Sequence, residues 1–206
     1  MRIKFGVAML LSIAVTACAN VPKDFSFDST KPTGLVVGSV TYESGLGRYH
    51  LVVASKDTGR KTLLGFGCAV WPCIQSADDK AFSAEQGTEQ RGGGYSVQLP
   101  AGTYRIAGWE VARGQMRSRA QVHGDIEFTV EAGRASYLGN LHFDPDWTHV
   151  QLRDRADRDL GALRETYAVL RETPLAYRIA EGTVIDDLSG EYVTRLQGPI
   201  YIFVSH

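Results

Sequence analysis

Gly93-Gly94-Tyr95-Ser96-Val97-Gln98-Leu99-Pro100-Ala101-Gly102-Thr103-Tyr104-Arg105-Ile106 is the stretch that decides the fold class. Residues 95–99 alternate large apolar with small or polar side chains, the period-2 pattern of a strand with one buried face. Pro100-Ala101-Gly102 turns the chain, and residues 103–111 resume as a strand. Simple alternation puts Tyr104, Ile106 and Gly108 on one face and Ala107, Trp109 and Val111 on the other. Gly102 supplies a backbone conformation that a side chain would penalise. Tyr104, two residues on, is placed to anchor the corner through its hydroxyl, as in the tyrosine corner of Greek-key sandwiches.

The same grammar extends in both directions. Downstream, Gly114 marks a turn, residues 116–123 form a strand, and residues 125–130 put Ile126, Phe128 and Val130 on a single face. Ala132-Gly133 turns again before a strand over 134–143. Upstream, strands are expected over 34–43, 48–55 and 61–66, separated by Ser44-Gly45-Leu46-Gly47 and Asp57-Thr58-Gly59. Glycines 93, 102, 114, 124 and 133, taken as turn residues, recur at the interval that a sandwich or barrel of short strands produces. Residues 76–94 are polar and end in three glycines; 77–90 read as a loop with room for one helical turn.

Gly93 to Ile106, followed by Phe128-Thr129-Val130-Glu131-Ala132-Gly133, resembles the prealbumin-like sandwich found in carboxypeptidase regulatory-like domains and bacterial surface proteins. The resemblance covers residues 34–143 and rests on hairpin chemistry. It implies an antiparallel β-sandwich, and because the family is mostly non-catalytic it points away from an enzyme.

Residues 144–206 depart from that pattern and are expected to complete the same globular domain. Residues 150–152 continue a strand. Residues 154–171 are the one strong helix, with Ala156, Leu160, Leu163, Tyr167 and Leu170 as an apolar stripe at helical spacing. Asp154 reads as a cap, with Asp157 three residues on in a capping-box arrangement. Arg171 suits the C-terminal dipole and Pro174 stops the helix. The alternating charges of residues 153–159 read as a solvated helix start. Short strands follow at 177–179, 183–185, 191–196 and 199–204. The fold class is therefore mainly β: an antiparallel sandwich with one C-terminal amphipathic helix and extra short strands.

The amino terminus carries the specific functional signal. Arg2 and Lys4 precede an apolar run over residues 5–15, the layout of a secretory signal and too short to span a bilayer. Val15-Thr16-Ala17-Cys18 at its end resembles the lipobox of bacterial lipoproteins. That resemblance implies cleavage after residue 17, a diacylglyceryl group on the Cys18 thiol and acylation of the new amino terminus. Ala19, not Asp, follows the cysteine, which by analogy favours the outer membrane. Residues 18–33, with Pro22 and Pro32 and no periodicity, are expected to be a tether lifting the domain off the bilayer. Lipid on Cys18 is the only covalent group expected, and no cofactor is implied.

Composition narrows the partners. Removing residues 1–17 takes away Arg2 and Lys4 and no acid, leaving 20 basic against 23 acidic residues and a formal charge of −3. Nothing in that charge recommends nucleic acid. With Cys18 assigned to lipid, Cys68 and Cys73 are left as a pair in an oxidising compartment. A structural disulfide is the default and closes so small a ring for about 2 kcal/mol; a redox pair or two free thiols are the alternatives.

Two clusters invite a chemical reading. His142, Asp144, Asp146 and His149 carry ligand types suited to zinc or calcium, while a turn built on Asp144-Pro145-Asp146 explains the acids equally. Phe66 and Trp71, around the two cysteines, either present an apolar contact to a partner or membrane, or fold into the core. The sequence contains no nucleophile elbow, zincin helix, phosphate loop or dinucleotide glycine pattern. The reading is a membrane-anchored envelope lipoprotein acting as a non-enzymatic structural or binding module toward an envelope protein or glycan. The alternative is a small metal-binding protein or hydrolase centred on His142 to His149.

Overall fold

The computed structural model describes residues 20–43, 45, 47–67, 82, 91–122, 126–147, 149–178, 184–185, 188 and 192–196. Cys18, Cys68, Trp71, Cys73 and the expected strand over 199–204 lie outside the described residues. The first sheet holds β1 (Thr33–Tyr42), β4 (Arg91–Pro100), β8 (Ala135–Phe143), β9 (Val150–Arg153) and two short strands, β10 (Leu175–Tyr177) and β11 (Val184–Ile185). The second holds β2 (Arg48–Ser55), β3 (Lys61–Gly67), β5 (Gly102–Arg113), β6 (Met116–Gln121), β7 (Glu127–Val130) and β12 (Tyr192–Leu196).

The first sheet runs β11-β9-β8-β1-β4, with β10 beside β8; the second runs β12-β6-β5-β2-β3, with β7 beside β5. The protein is a mainly β sandwich, and its pairings are antiparallel except β1 with β8 and β10 with β8. Of the late strands, β9, β10 and β11 join the first sheet and β12 joins the second.

Between the sheets lies an aromatic-rich core that includes Tyr49, Leu51, Tyr95, Trp109, Leu141 and Phe143. Trp109 is fully buried, and its Nε1 donates to the Leu188 carbonyl at 2.8 Å. Tyr104 makes the expected corner, donating its hydroxyl to the Pro100 carbonyl at 2.9 Å. Tyr49 repeats the device at the β1–β2 end, donating to the Gly45 carbonyl at 3.0 Å.

Alternation misplaces the second half of β5. The ladder with β2 pairs Val52 with Gly108 and Val53 with Ile106, so one residue is bulged out. Tyr104 and Ile106 face the core before the bulge, and Trp109 and Val111 face the same core after it. Gly108 makes this feasible: its φ is +152°, and a Cβ there would sit 2.0 Å from the Ala120 carbonyl oxygen.

The glycines at 92–94 are not turn residues but lie within β4. A Cβ on Gly93 would strike the Phe66 ring at 2.1 Å, and one on Gly94 would meet Leu163 at 2.8 Å. The strand is stripped of side chains so that both faces can be approached closely.

The first sheet is covered on its outer face too. Helix α1 (Ala156–Thr166) and the N-terminal segment pack there, with Leu35, Val37, Tyr137, Leu160, Leu163 and Tyr167 in a second core. Burying each large apolar side chain of α1 stabilises by roughly 1.5–3 kcal/mol. The helix stops earlier than the apolar stripe suggests. Tyr167 adopts φ −117° and ψ 103°, and one 3-10 turn (Ala168–Arg171) then carries Leu170 back to the core. At the start, Asp154 Oδ1 accepts from the Ala156 N–H at 3.0 Å, but the capping residue Arg155 makes no side-chain cap, so the capping box is not formed.

Candidate functional site

Residues 20–32 do not behave as a spacer. Val21 donates its N–H to the Ser96 carbonyl at 2.8 Å, and Ser96 N–H donates to Asn20 Oδ1 at 3.0 Å. Further along, Ala101 N–H donates to the Pro32 carbonyl at 2.8 Å. Val21 is buried, and Phe25 and Phe27, in edge contact with each other, pack against the second core. Apolar side chains at 21, 25 and 27 thus turn an aperiodic stretch into a strap along β4. The expectation of a tether that lifts the domain away fails because these side chains have a groove to fill.

The strap forms one wall of a pocket of about 570 Å3, within the usual range for small-molecule sites. The pocket opens at the sheet edge where β3 and β4 face each other. Val21, Val97, Leu99 and Tyr104 are buried and line its apolar floor, with Phe25 and Thr62 half-buried beside them. Asp57, Thr58 and Arg60, on the β2–β3 turn, are exposed along its rim. Burial pushes the Tyr104 hydroxyl pKa up, and the Asp57 charge adds to this against the opposing Arg60. Tyr104 therefore stays a neutral hydroxyl, donating to Pro100. Asn20, Ser55 and Gln98 also belong to the lining, so polar groups stand on the walls as well as on the rim.

A second polar constellation sits under α1. Asp159 has no exposed surface. Its Oδ2 accepts from Ser39 Oγ at 2.7 Å and from the Tyr137 hydroxyl at 2.8 Å, while Oδ1 accepts from Arg158 Nε at 2.9 Å. Burial raises the Asp159 carboxyl pKa, while Arg158 and its two hydroxyl donors pull it back. The network continues along β1 and β8: Asn140 Nδ2 donates to Ser39 Oγ at 2.7 Å, Thr41 Oγ1 lies 3.1 Å from Asn140 Oδ1 and 2.9 Å from His142 Nδ1. A bulge after Val37 on the β1–β8 ladder keeps Ser39, Thr41, Asn140 and His142 aimed at the same face. The charged run over 153–159 is thus more than a solvated helix start: its Asp159 anchors the helix to the sheet.

The four ligand-type residues do not assemble. His142 is buried, with Nε2 3.3 Å from Glu43 Oε1, and burial together with Arg153, Arg155 and Arg158 lowers its pKa to about 3. His149 is exposed and its Nδ1 lies 3.0 Å from Asp144 Oδ2. Asp144 and Asp146 belong to the turn closed by Trp147 N–H to the Asp144 carbonyl. Among the described residues, no group of three or more His, Cys, Asp or Glu could hold a metal ion. Phe66 is no free contact surface either; it is half-buried at the core edge against Gly93. The pocket lining and Asp159 escaped sequence reasoning because nothing local marks them.

Among the described residues, no helix is long and apolar enough to cross a membrane. No family model and no curated protein matches the sequence. Among solved structures, a leucine-rich repeat protein from Bacteroides thetaiotaomicron is similar at 20% identity and a TM-score of 0.35, over 57% of this chain and 15% of that one. A likeness of that size bears on neither fold nor function, and the chain spans only a small part of that protein.

Proposed function

We propose that this chain is an envelope lipoprotein, anchored to the outer membrane through lipid on Cys18, whose sandwich serves as a non-enzymatic binding module with the strap pocket as its site. The observation that carries the reading is the strap itself. The segment directly after the lipobox is built into the pocket wall through Asn20, Val21, Pro22 and Phe25. An anchor at Cys18 therefore holds the pocket at the membrane surface, since two residues span at most about 7 Å. The likeness to non-catalytic prealbumin-like modules agrees with a binding role, and so does the mature charge of −3 for a partner other than nucleic acid.

Membrane fractionation of cells expressing the wild type and Cys18→Ser tests the anchor. The wild type is expected in the membrane fraction and the variant in the soluble one. Identical fractionation of the two proteins removes the premise.

A further inference from the structure

We infer that the strap pocket takes an extended peptide segment of a partner protein, added as a strand to the open edge of β4. The inference rests on the pocket being the binding site and names the chemistry of its occupant. β4 ends the first sheet and has β1 on one side only. In β1, Leu35 N–H points to the β8 side, donating to the Arg134 carbonyl, so its neighbours Gly34 and Val36 face β4. Their partners in the register are Leu99 and Val97. Ser96 and Gln98 therefore aim their main-chain groups away from β1.

The strap shows what this edge accepts. It closes the Ser96 rung with the Val21 N–H and the Asn20 side-chain oxygen, and buries the Val21 side chain beside it. Then it turns away: Pro22 has no N–H to offer, and Phe25 N–H donates back to the Pro22 carbonyl at 3.0 Å. Contact with the edge resumes at Pro32, whose carbonyl accepts from Ala101 N–H. The Gln98 rung falls in that gap, in the pocket lining, and its main-chain groups have no partner among the described residues. Backbone donors and acceptors need partners, and an unpaired strand edge is a template for another strand.

A strand laid there meets a lining of both kinds it needs. Its residue level with Gln98 shares that residue's face, while the residues on either side turn toward Val97 and Leu99. Those two side chains, with Val21 and Tyr104, form the apolar floor. Asn20, Ser55 and Thr62 on the walls offer hydrogen-bonding groups to further amides. A wholly apolar chain would leave the wall groups unpaired, and a glycan would bring no side chains to the floor. A peptide with apolar side chains two residues apart matches both, as in recognition by strand addition.

The test pans a random heptapeptide library on the purified full-length protein and measures the selected peptide by fluorescence anisotropy. The peptide is expected to carry apolar residues two apart and to bind saturably at one per protein. Gln98→Ala keeps the main-chain groups and is expected to bind as the wild type does. Gln98→Pro removes the outward N–H and no bond to β1, and is expected to weaken binding about tenfold. Methylating the peptide's amide nitrogens one at a time reads the same rung without altering the protein, and one position at least is expected to show a comparable loss. Thr62→Trp, which fills the pocket from β3, is expected to abolish binding with an unchanged circular dichroism spectrum. If that variant does not fold, Ala101→Trp on the exposed turn replaces it.

Failure to select any saturably binding peptide overturns the inference. A peptide blocked by the pocket-filling variant but indifferent to Gln98→Pro and to every methylation overturns strand addition and leaves the pocket as the site. A peptide that binds despite the filled pocket overturns the inference and the choice of site together. Soluble chito-oligosaccharides, assayed alongside, separate the remaining case: saturable binding of these alone, lost on filling the pocket, keeps the site and makes its occupant a glycan.

Discussion

Ser39 and Asp159, 120 residues apart in the chain, meet at 2.7 Å beneath α1, where the hydroxyl donates to a carboxylate with no exposed surface. This contact fastens the helix layer to β1, an interior strand of the first sheet. Tyr137 shares the same carboxylate oxygen, so one acid organises three elements.

Removing that acid is expected to be costly. Asp159→Ala leaves the Ser39 and Tyr137 hydroxyls buried with no acceptor and removes the anion facing Arg158, a loss of about 3 kcal/mol or more. Asp159→Asn keeps an acceptor for the two hydroxyls and is expected to lose about half of that. Urea unfolding of both variants checks the order; equal stabilities for wild type and Asp159→Ala would show the network to be dispensable.

Acid should weaken the fold through its buried histidines. His142 is lowered to about 3 and His50 to about 4, both chiefly by burial. Arg153, Arg155 and Arg158 press the same way on His142, with Glu43 opposing; Arg48 and Arg117 do so on His50, with Glu110 opposing. A depressed folded pKa gives stability that is present above the ordinary value near 6.5 and is lost as pH falls toward the folded one. Each histidine can contribute up to about 1.4 kcal/mol per pH unit over that window. Asp159, raised by burial, acts in the opposite sense, losing stability as pH rises through its folded value. Chemical denaturation from pH 7 to 4 should therefore show falling stability, with a shallower slope in His142→Gln. A variant that keeps the wild-type slope would exclude His142 as a source.

The corner at Tyr104 is a single hydrogen bond to the Pro100 carbonyl. Tyr104→Phe keeps the ring in the core and is expected to lose about 1 kcal/mol. Its melting temperature should fall by several degrees, and no change would mean that water replaces the hydroxyl.

Gly108→Ala tests the bulge. The added methyl would meet the Ala120 carbonyl, a backbone atom that cannot swing aside, at a φ of +152°. We expect a loss of about 3 kcal/mol. Gly114→Ala has nothing within 4 Å of its Cβ and is strained only by its φ of +52°. It should lose clearly less, and equal losses would show that contact with β6 is not the cause.

Much of the β framework is legible in the chain. Residues 48–55 put Tyr49, Leu51 and Val53 on one buried face and form β2 over Arg48–Ser55; β1, β3 and β8 fall within a residue of their expected bounds. Alternation is a local property, so it survives without knowledge of neighbours. The helical stripe is local in the same way, and each of its residues reaches the second core, although Tyr167 breaks the helix to get there.

What the sequence by itself determined is the order and character of the strands, the tyrosine corner and the C-terminal helix; the anchor proposal rests on the resemblance of residues 15–18 to a lipobox. The tertiary structure alone decided which faces are inside after Gly108, why β4 carries three glycines near its start, where Asp159 ends up and that Asn20, Val21, Pro22 and Phe25 line a pocket. Those outcomes depend on atoms supplied from far along the chain: the Ala120 carbonyl, the Phe66 ring, the Ser39 hydroxyl and the Ser96 backbone. A residue's own neighbours in sequence set its propensity, but whether it is buried, bulged or bonded is set by what the fold brings against it.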